Sequence, residues 1–389
     1  MKKKYKVIIF IIILIIILIG VFYFYNNKKT KKINHNNKEN KNSIIIDNGI
    51  FSKYYNEASK IVKNMTIEEK VGQLFLVRYN KDDVEYLSNF YPGGYILFAK
   101  DFQNHTKDSI KKEIFHDQEL NKYKLIMAVD EEGGYVTRVS RFPAFRSEKF
   151  ASPRTYYEQG GYELLEQMEN EKATLLKEIG INLNLAPVAD VSTNENDFIN
   201  NRTLGKGAKE TSDYIKHMVK YANNNKINSC LKHFPGYGNN EDTHTGIAID
   251  NRSYETFIEN DYLPFKAGIE EKVPCILVSH NIIMSIDDKL PATLSEKVIK
   301  ELRDILGFTG IIITDDLSMD AVKQYVEDGN AATMAINAGN DMIITDDFIT
   351  MKNEVIKAIE NNNIKEETIN KAVTRIIAWK YYSGLIEKK

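Results

Sequence analysis

Cysteine is scarce in this chain of 389 residues, with only Cys230 and Cys275 present. Both lie inside apolar, strand-like runs, so the pattern favours two buried free thiols over a disulfide framework. Proline is also rare, at eight residues, and no stretch rich in proline, glycine and serine divides the chain. Without a linker of that kind, the body of the chain is predicted to form one large domain.

Other absences argue against whole classes of function. No two of the seven histidines stand two or four residues apart, the spacing typical of zinc-binding pairs. No glycine-rich phosphate loop follows the first predicted strand, which argues against an open doubly wound sheet. Ten lysines and two acids give residues 1–50 a charge of +8. Because the net charge of the whole chain is −2, the remaining residues carry −10. An acidic body of this kind argues against a nucleic-acid partner.

One long apolar run is present near the N-terminus. Residues 7–25 are apolar or aromatic except Gly20, which suffices to cross a bilayer at about 20 residues per span. A cleaved signal peptide has a shorter apolar region and a small-residue cleavage site, so we predict an uncleaved transmembrane signal anchor. Residues 1–6 are then a basic cytoplasmic N-terminus, and residues 26–50, rich in Asn and Lys, a disordered tether. Lysines flank both sides of the span, so the positive-inside bias is nearly balanced.

The folded body, residues 51–389, alternates short apolar runs with amphipathic segments. Eight strand candidates alternating with helices predict one parallel sheet, and eight strands can close a (β/α)8 TIM-type barrel. An open doubly wound sheet is the alternative. The predicted strands are 71–78, 94–100, 124–130, 181–190, 227–233, 273–280, 310–315 and 338–345. The predicted helices are 162–179, 210–224, 254–270, 295–306, 320–337 and 365–383.

Polar residues gather where the predicted strands end, and this is the face on which barrel active sites form. Lys232 and His233 end the fifth strand, and a glycine-rich loop then carries Asp242 two residues before His244. A carboxylate in that position can hold the imidazole's tautomer and stabilise its charged form, so the ring can shuttle a proton near neutral pH. These residues alone leave two alternatives open: ordinary strand-end and loop residues, or a metal site of His233, Asp242 and His244.

Two more strand ends carry acids. Asp130 is followed by two glutamates, a Gly-Gly turn and Arg138, a pattern that could grip a hydroxyl-rich ligand or merely cap a turn. The strand at 310–315 delivers Asp315 and Asp316 at its tip. Asp316 can cap the next segment, which leaves Asp315 suited to attack a sugar carbon. Both acids could instead only cap and solvate the turn.

Seven motifs, in order and at workable spacing, resemble glycoside hydrolase family 3, and in particular its β-N-acetylglucosaminidase branch. The resemblance covers roughly residues 65–385. The Lys-His-Phe-Pro-Gly loop with Asp-x-His is characteristic of that branch rather than of the β-glucosidases. The motifs are Asp130-Glu131-Glu132-Gly133-Gly134, Asn184-Leu185-Ala186-Pro187-Val188-Ala189-Asp190-Val191, Asn201-Arg202-Thr203, Lys232-His233-Phe234-Pro235-Gly236, Asp242-Thr243-His244, Pro291-Ala292-Thr293-Leu294-Ser295 and Thr314-Asp315-Asp316-Leu317-Ser318-Met319.

The resemblance implies a role for each matching position. Asp315 would be the nucleophile, and His244 the general acid/base that Asp242 orients. The residues that would bind the terminal sugar are Asp130, Arg138, Arg202, Lys232 and His233. Three positions depart from the family pattern: Glu131 replaces a Gln, Tyr135 replaces an Arg, and Tyr237 replaces a His. None of the three carries an assigned role in the chemistry, so they bear on specificity.

The resemblance therefore implies a retaining β-N-acetylglucosaminidase that needs no metal or organic cofactor. Its substrate would be a glycan or muropeptide containing N-acetylglucosamine, with peptidoglycan fragments as the substrate class. The barrel is expected outside the cell membrane on a single-pass anchor. Three alternatives stay open: a phosphorylase on the same scaffold, a metal-dependent barrel amidohydrolase, and a non-catalytic wall-binding protein. Against the amidohydrolase, the first strand ends in Leu76-Val77-Arg78-Tyr79 rather than His-x-His.

Overall fold

The computed structural model describes residues 46–240, 248–319, 322, 325–326 and 330–387. The predicted membrane span at 7–25 and most of the predicted tether lie outside these residues, as do Asp242 and His244. Among the described residues, no helix combines the length and the hydrophobicity needed to cross a bilayer.

Eight parallel strands close into a barrel, which confirms the predicted architecture over the open sheet. The strands are β1 Phe75–Arg78, β2 Gly94–Leu97, β3 Ile126–Val129, β4 Leu183–Asn184, β5 Asn228–Phe234, β7 Cys275–Val278, β9 Ile311–Asp316 and β10 Met342–Thr345. They follow the order β1-β10-β9-β7-β5-β4-β3-β2 around the ring. Pairing of β1 with β10, with Phe75 opposite Ile343, closes it. A separate parallel pair joins β6 Ile249–Asp250 to β8 Ile282–Ile283.

Helices cover the outside of the barrel between the strands. Their bounds are Tyr55–Val62, Ile67–Gln73, Val84–Ser88, Ala99–Phe102, Lys107–Leu120, Pro153–Glu178, Ala208–Asn224, Tyr254–Thr256, Tyr262–Glu270, Glu296–Lys300, Ala331–Ala338, Phe348–Glu360 and Glu366–Tyr382. Two π-helical turns, Phe257–Asp261 and Glu301–Ile305, continue two of them. Three 3-10 turns lie at Ser52–Tyr54, Asn200–Arg202 and Ala292–Leu294.

Six of the eight strands are shorter than the runs predicted for them, and for two of these the reason is local. The run at 71–78 begins inside a helix, because Thr66 and Glu69 form a reciprocal capping box that starts the helix Ile67–Gln73. In the run at 181–190 only Leu183 and Asn184 pair as strand β4, since Pro187 lacks the amide that a ladder needs. The helical segment Pro153–Glu178 is broken by non-helical backbone at Gly160 and Gly161, and the helix after this kink agrees with the predicted start at Tyr162.

The chain enters and leaves the barrel at the N-terminal ends of its strands. Asp341, just before β10, is buried and pairs with Arg303 and with Arg375. Arg375 also lies 3.5 Å from Asp47, and the Tyr55 hydroxyl donates to the same carboxylate at 3.0 Å. Residues 46–50, the end of the predicted tether, therefore contact the underside of the barrel.

Candidate active site

A cavity of about 190 Å³ opens at the C-terminal ends of the barrel strands. It is lined by the predicted nucleophile and by all five residues predicted to bind the terminal sugar. They come from the end of β3 and its loop, the turn Asn200–Arg202, the end of β5 and the tip of β9. These six residues are Asp130, Arg138, Arg202, Lys232, His233 and Asp315. Strands far apart in sequence thus deliver them to one place, whereas Asp242 and His244 lie outside the described residues.

A buried network of four charges forms one wall of the cavity. Lys232 Nζ lies 2.5 Å from Asp130 Oδ1 and 2.6 Å from Glu132 Oε1. Arg202 donates to both Glu132 oxygens, from Nε at 3.0 Å and from Nη2 at 2.7 Å. Burial alone would raise the pKa of Glu132, but the charges of Arg202 and Lys232 hold it well below its ordinary value of 4.5. Burial works against the Lys232 ammonium too, yet the charges of Asp130 and Glu132 raise its pKa.

Hydrogen bonds on both ring nitrogens fix the tautomer of His233. Its Nε2 lies 3.2 Å from Arg202 Nη2, and a guanidinium can only donate, so Nε2 accepts. The proton is therefore on Nδ1, which donates to Asp190 Oδ2 at 2.7 Å. The other Asp190 oxygen accepts from the Tyr237 amide at 2.7 Å. His233 thus acts as a neutral donor-acceptor bridge that sets the orientation of Arg202.

Glu131 holds the loop that carries Arg138. Its buried carboxylate accepts from the amides of Arg138 and Val139, both at 2.7 Å. It also accepts from the hydroxyl of Ser140 at 2.5 Å. The Arg138 guanidinium lies 5.6 Å from the centre of the Phe98 ring, and its buried Nε has no hydrogen-bond partner among the described residues. A donor held in this way at a cavity wall suits an oxygen-rich ligand.

The two acids at the tip of β9 have different surroundings. Asp316 Oδ2 accepts from Arg78 Nε at 2.5 Å, and its Oδ1 accepts from the amide of Ser318 at 2.9 Å. Asp316 therefore caps the turn after the strand, as the sequence predicts. Asp315 is partly exposed at the cavity wall, and its Oδ1 accepts from the amide of Asp316 at 2.9 Å.

Glu132 and Asp190 also hold the site together, although no role was predicted for either from the sequence. Both stand in recognised motifs, but their importance comes from partners distant in the chain. These partners are Arg202 and Lys232 for Glu132 and His233 for Asp190. Within the described residues, no group of three or more His, Cys, Asp or Glu side chains is arranged to hold a metal ion.

Comparison with known proteins gives one consistent family. The family model for the glycosyl hydrolase family 3 N-terminal domain matches residues 66–379. A beta-hexosaminidase of Methylobacillus flagellatus is 28% identical over 270 residues, or 68% of this chain and 76% of that protein. One of Hydrogenovibrio crunogenus is 30% identical over 273 residues, or 68% of this chain and 75% of that protein.

A solved structure has the same fold over most of the described chain. It is a glycoside hydrolase family 3 beta-N-acetylglucosaminidase from Paenibacillus sp. str. FPU-7, with a TM-score of 0.77 and 26% identity. The match covers 84% of this chain and 64% of the Paenibacillus chain, so this chain spans less than two thirds of that relative's length.

Proposed function

Because this chain belongs to glycosyl hydrolase family 3, we propose that it is a retaining β-N-acetylglucosaminidase that removes terminal β-linked N-acetylglucosamine. Its similarity to beta-hexosaminidases supports the reaction class. The observation that carries the proposal is the convergence of Asp315 and five predicted sugar-binding residues on one cavity. Asp316 is buried and caps the turn, whereas Asp315 is partly exposed at the cavity wall, where it can reach a substrate.

The charged wall binds the hydroxyl groups of the terminal sugar. Asp130 accepts from sugar hydroxyls, while Lys232 and Arg202 donate to sugar oxygens, and hydrogen bonds to charged partners are the strong ones. Arg138 adds a further donor from the loop after β3. Because Glu132 is held between two cations, the lysine and arginine are fixed before the substrate arrives, which lowers the entropy lost on binding.

The reaction proceeds by double displacement. An oxygen of Asp315 forms a bond to the anomeric carbon while the glycosidic bond breaks, and His244, as imidazolium, protonates the leaving oxygen. His244, now neutral, removes a proton from water as that water's oxygen replaces Asp315 on the same carbon. Asp242 orients the imidazole. Two inversions at one carbon retain its configuration.

The natural substrate is proposed to be a peptidoglycan fragment, and the barrel is proposed to lie outside the cell membrane on the anchor at 7–25. Turnover of defined muropeptides, compared with turnover of chitin oligomers, tests the proposed substrate.

The proposed location is tested with protease added to intact spheroplasts, which should degrade the barrel. Complete protection would overturn the location but not the activity.

The mechanism is tested by how each variant depends on the leaving group. Protonation of a poor leaving group needs a general acid, worth about 10²–10⁴-fold, whereas a nitrophenolate leaves without one. His244→Ala should therefore lose most activity on a disaccharide and much less on a nitrophenyl β-N-acetylglucosaminide. Azide should speed turnover of the nitrophenyl substrate, because it attacks the glycosyl-enzyme without a base.

Asp315→Ala should abolish turnover of both substrates, because no covalent intermediate can form. Asp288→Ala, which removes an exposed aspartate, is the matched control and should keep wild-type activity. Equal slowing of both substrates by His244→Ala, without azide rescue, would show that another group is the acid/base.

A further inference from the structure

The chain on both sides of residues 241–247 converges on one arginine, Arg252. Its Nη1 donates to both oxygens of Asp261, at 3.0 and 2.9 Å. Its Nη2 donates to Asp250 Oδ2 at 2.7 Å, and its Nε donates to Asp250 at 3.0 Å. The guanidinium is also stacked against Phe257, at 4.6 Å from the ring centre. Both carboxylates are fully buried, so one guanidinium is held on three sides.

The same cluster ties together the two limbs of the loop. Asn240, the last described residue before the gap, donates to Asp250 Oδ2 at 2.8 Å and to the Tyr237 carbonyl at 2.8 Å. Arg252 Nη2 reaches the carbonyl of Gly236 at 3.4 Å. The chain therefore leaves and re-enters the described structure at two points joined by hydrogen bonds.

Two glycines make this close approach possible. Gly236 has a φ of +127°, and a Cβ there would lie 2.3 Å from Asp261 Oδ1. Gly238 has a φ of +56°, and a Cβ there would lie 2.4 Å from the central carbon of the Arg252 guanidinium. Any side chain at either position would push the loop off the arginine. The glycine-rich stretch is thus shaped to seat the loop on Arg252.

The cluster lies apart from the sugar-binding wall. The residues that line the cavity in the described structure do not include Asp250, Arg252 or Asp261. A group outside the cavity that fixes both limbs of the loop can act on the reaction through what the loop carries. On the proposed function, the loop carries Asp242 and His244.

We propose that Arg252, held by Asp250 and Asp261, is a positioning residue for the acid/base half of the reaction. Arg252 contacts the Gly236 carbonyl and orients Asp250, which in turn accepts from Asn240, so both limbs of the loop that carries His244 are fixed. It takes no part in binding the terminal sugar. This inference rests on the proposed function, so His244→Ala is measured beside every variant below.

The test uses Arg252→Gln and Asn240→Ala, with Arg252→Lys as the conservative variant. Asn240→Ala removes two hydrogen bonds without leaving a buried charge unpaired, so it carries the test if Arg252→Gln fails to fold. Turnover of a disaccharide should fall by about 10–100-fold, less than the roughly 10²–10⁴-fold that loss of the whole general acid costs, and turnover of the nitrophenyl substrate much less. Azide should accelerate the nitrophenyl reaction, and the inhibition constant of free N-acetylglucosamine should not change. Arg252→Lys should recover part of the lost disaccharide activity.

Arg303→Gln is the matched control, because Arg303 is another buried arginine, paired with Asp341 at the opposite end of the barrel. It should lower stability without any dependence on the leaving group. The proposal is overturned if His244→Ala shows that dependence while the Arg252 and Asn240 variants slow both substrates equally. If His244→Ala itself shows none, the proposed acid/base residue is wrong and the positioning role falls with it.

Discussion

Two buried ionisable residues of this protein are stabilised to very different degrees. Glu132 contacts Arg202 and Lys232, which hold its pKa low and keep it charged. Lys380, in the last helix, is fully buried, and its ammonium donates to one neutral partner, Gln73 Oε1, at 2.7 Å. Burial without a carboxylate partner lowers the pKa of Lys380 to about 7. The first arrangement preorganises a binding site, and the second lowers stability.

Lys380→Met should change how stability depends on pH. Between pH 7 and the ordinary lysine pKa of 10.5, the unfolded wild-type chain binds a proton that the folded chain does not. Wild-type stability should therefore rise with pH across this window, by up to about 1.4 kcal/mol per pH unit. The methionine variant lacks this term, so its stability relative to wild type should be greatest near pH 7 and decline toward pH 10.

Urea denaturation at pH 7, 8.5 and 10 measures this difference. Loss of the hydrogen bond to Gln73 lowers the free energy of unfolding of the variant by the same amount at each pH. The test is therefore how the difference in free energy between variant and wild type changes with pH, and not whether that difference is positive or negative. Lys371→Met, in an exposed part of the same helix, should give no such slope. A constant difference between wild type and Lys380→Met would show that Lys380 keeps its ordinary pKa.

At the scale of elements, one carboxylate accepts four hydrogen bonds from the loop after β3. Glu131 has only acceptor atoms, and its neighbours are all donors: the amides of Arg138, Val139 and Ser140 and the Ser140 hydroxyl. A glutamine would present an amide nitrogen to some of these donors. The departure from the family pattern at this position therefore fits the loop of this chain.

Glu131→Gln should loosen the loop and weaken sugar binding through Arg138. Loss of one or two hydrogen bonds, each worth about 0.5–1.5 kcal/mol, should raise the inhibition constant of free N-acetylglucosamine by about 10-fold. Competitive inhibition of the nitrophenyl reaction measures it. Glu119→Gln, at an exposed position, is the control. If Glu131→Gln folds stably and its inhibition constant is unchanged, the hydrogen bonds of Glu131 to this loop do not contribute to sugar binding.

The tips of β5 and β9 could be predicted from sequence, because in each of them polar or charged residues follow buried apolar residues just before a turn. The bond from His233 to Asp190 and those from Arg202 and Lys232 to Glu132 could not, because each joins segments more than forty residues apart in the chain. The Arg252 cluster lies within residues 236–261, but no sequence pattern indicates that these particular charges pair. Periodicity identifies the elements, but the partner of a charged side chain depends on how the barrel closes.

At the scale of the whole molecule, the barrel has two distinct ends. The cavity occupies the C-terminal ends of the strands, and the cluster of Asp341, Arg303, Arg375 and Asp47 occupies the N-terminal ends. The ion-pair cluster, which contributes to stability, and the cavity thus lie at opposite ends, as is usual in barrels of this kind.

Removing the first described residues should lower stability and leave the reaction intact. A chain beginning at Ile46 keeps Asp47 and Phe51, whereas one beginning at Ser52 loses the contacts of Asp47 with Arg375 and Tyr55 and the buried ring of Phe51. The shorter chain should melt several degrees lower, at about 2–4 °C per kcal/mol lost. Both should turn over the nitrophenyl substrate equally at 25 °C. Equal melting temperatures would show that residues 46–51 add nothing to stability.

The two ends of the described chain meet beneath the barrel. The rings of Phe51 and Tyr382 are 5.4 Å apart, and those of Tyr54 and Tyr381 are stacked at 6.0 Å. A short peptide could therefore link residue 387 to residue 46 without crossing the barrel. Circular permutants with new ends in exposed surface loops would then keep the mouth of the cavity clear.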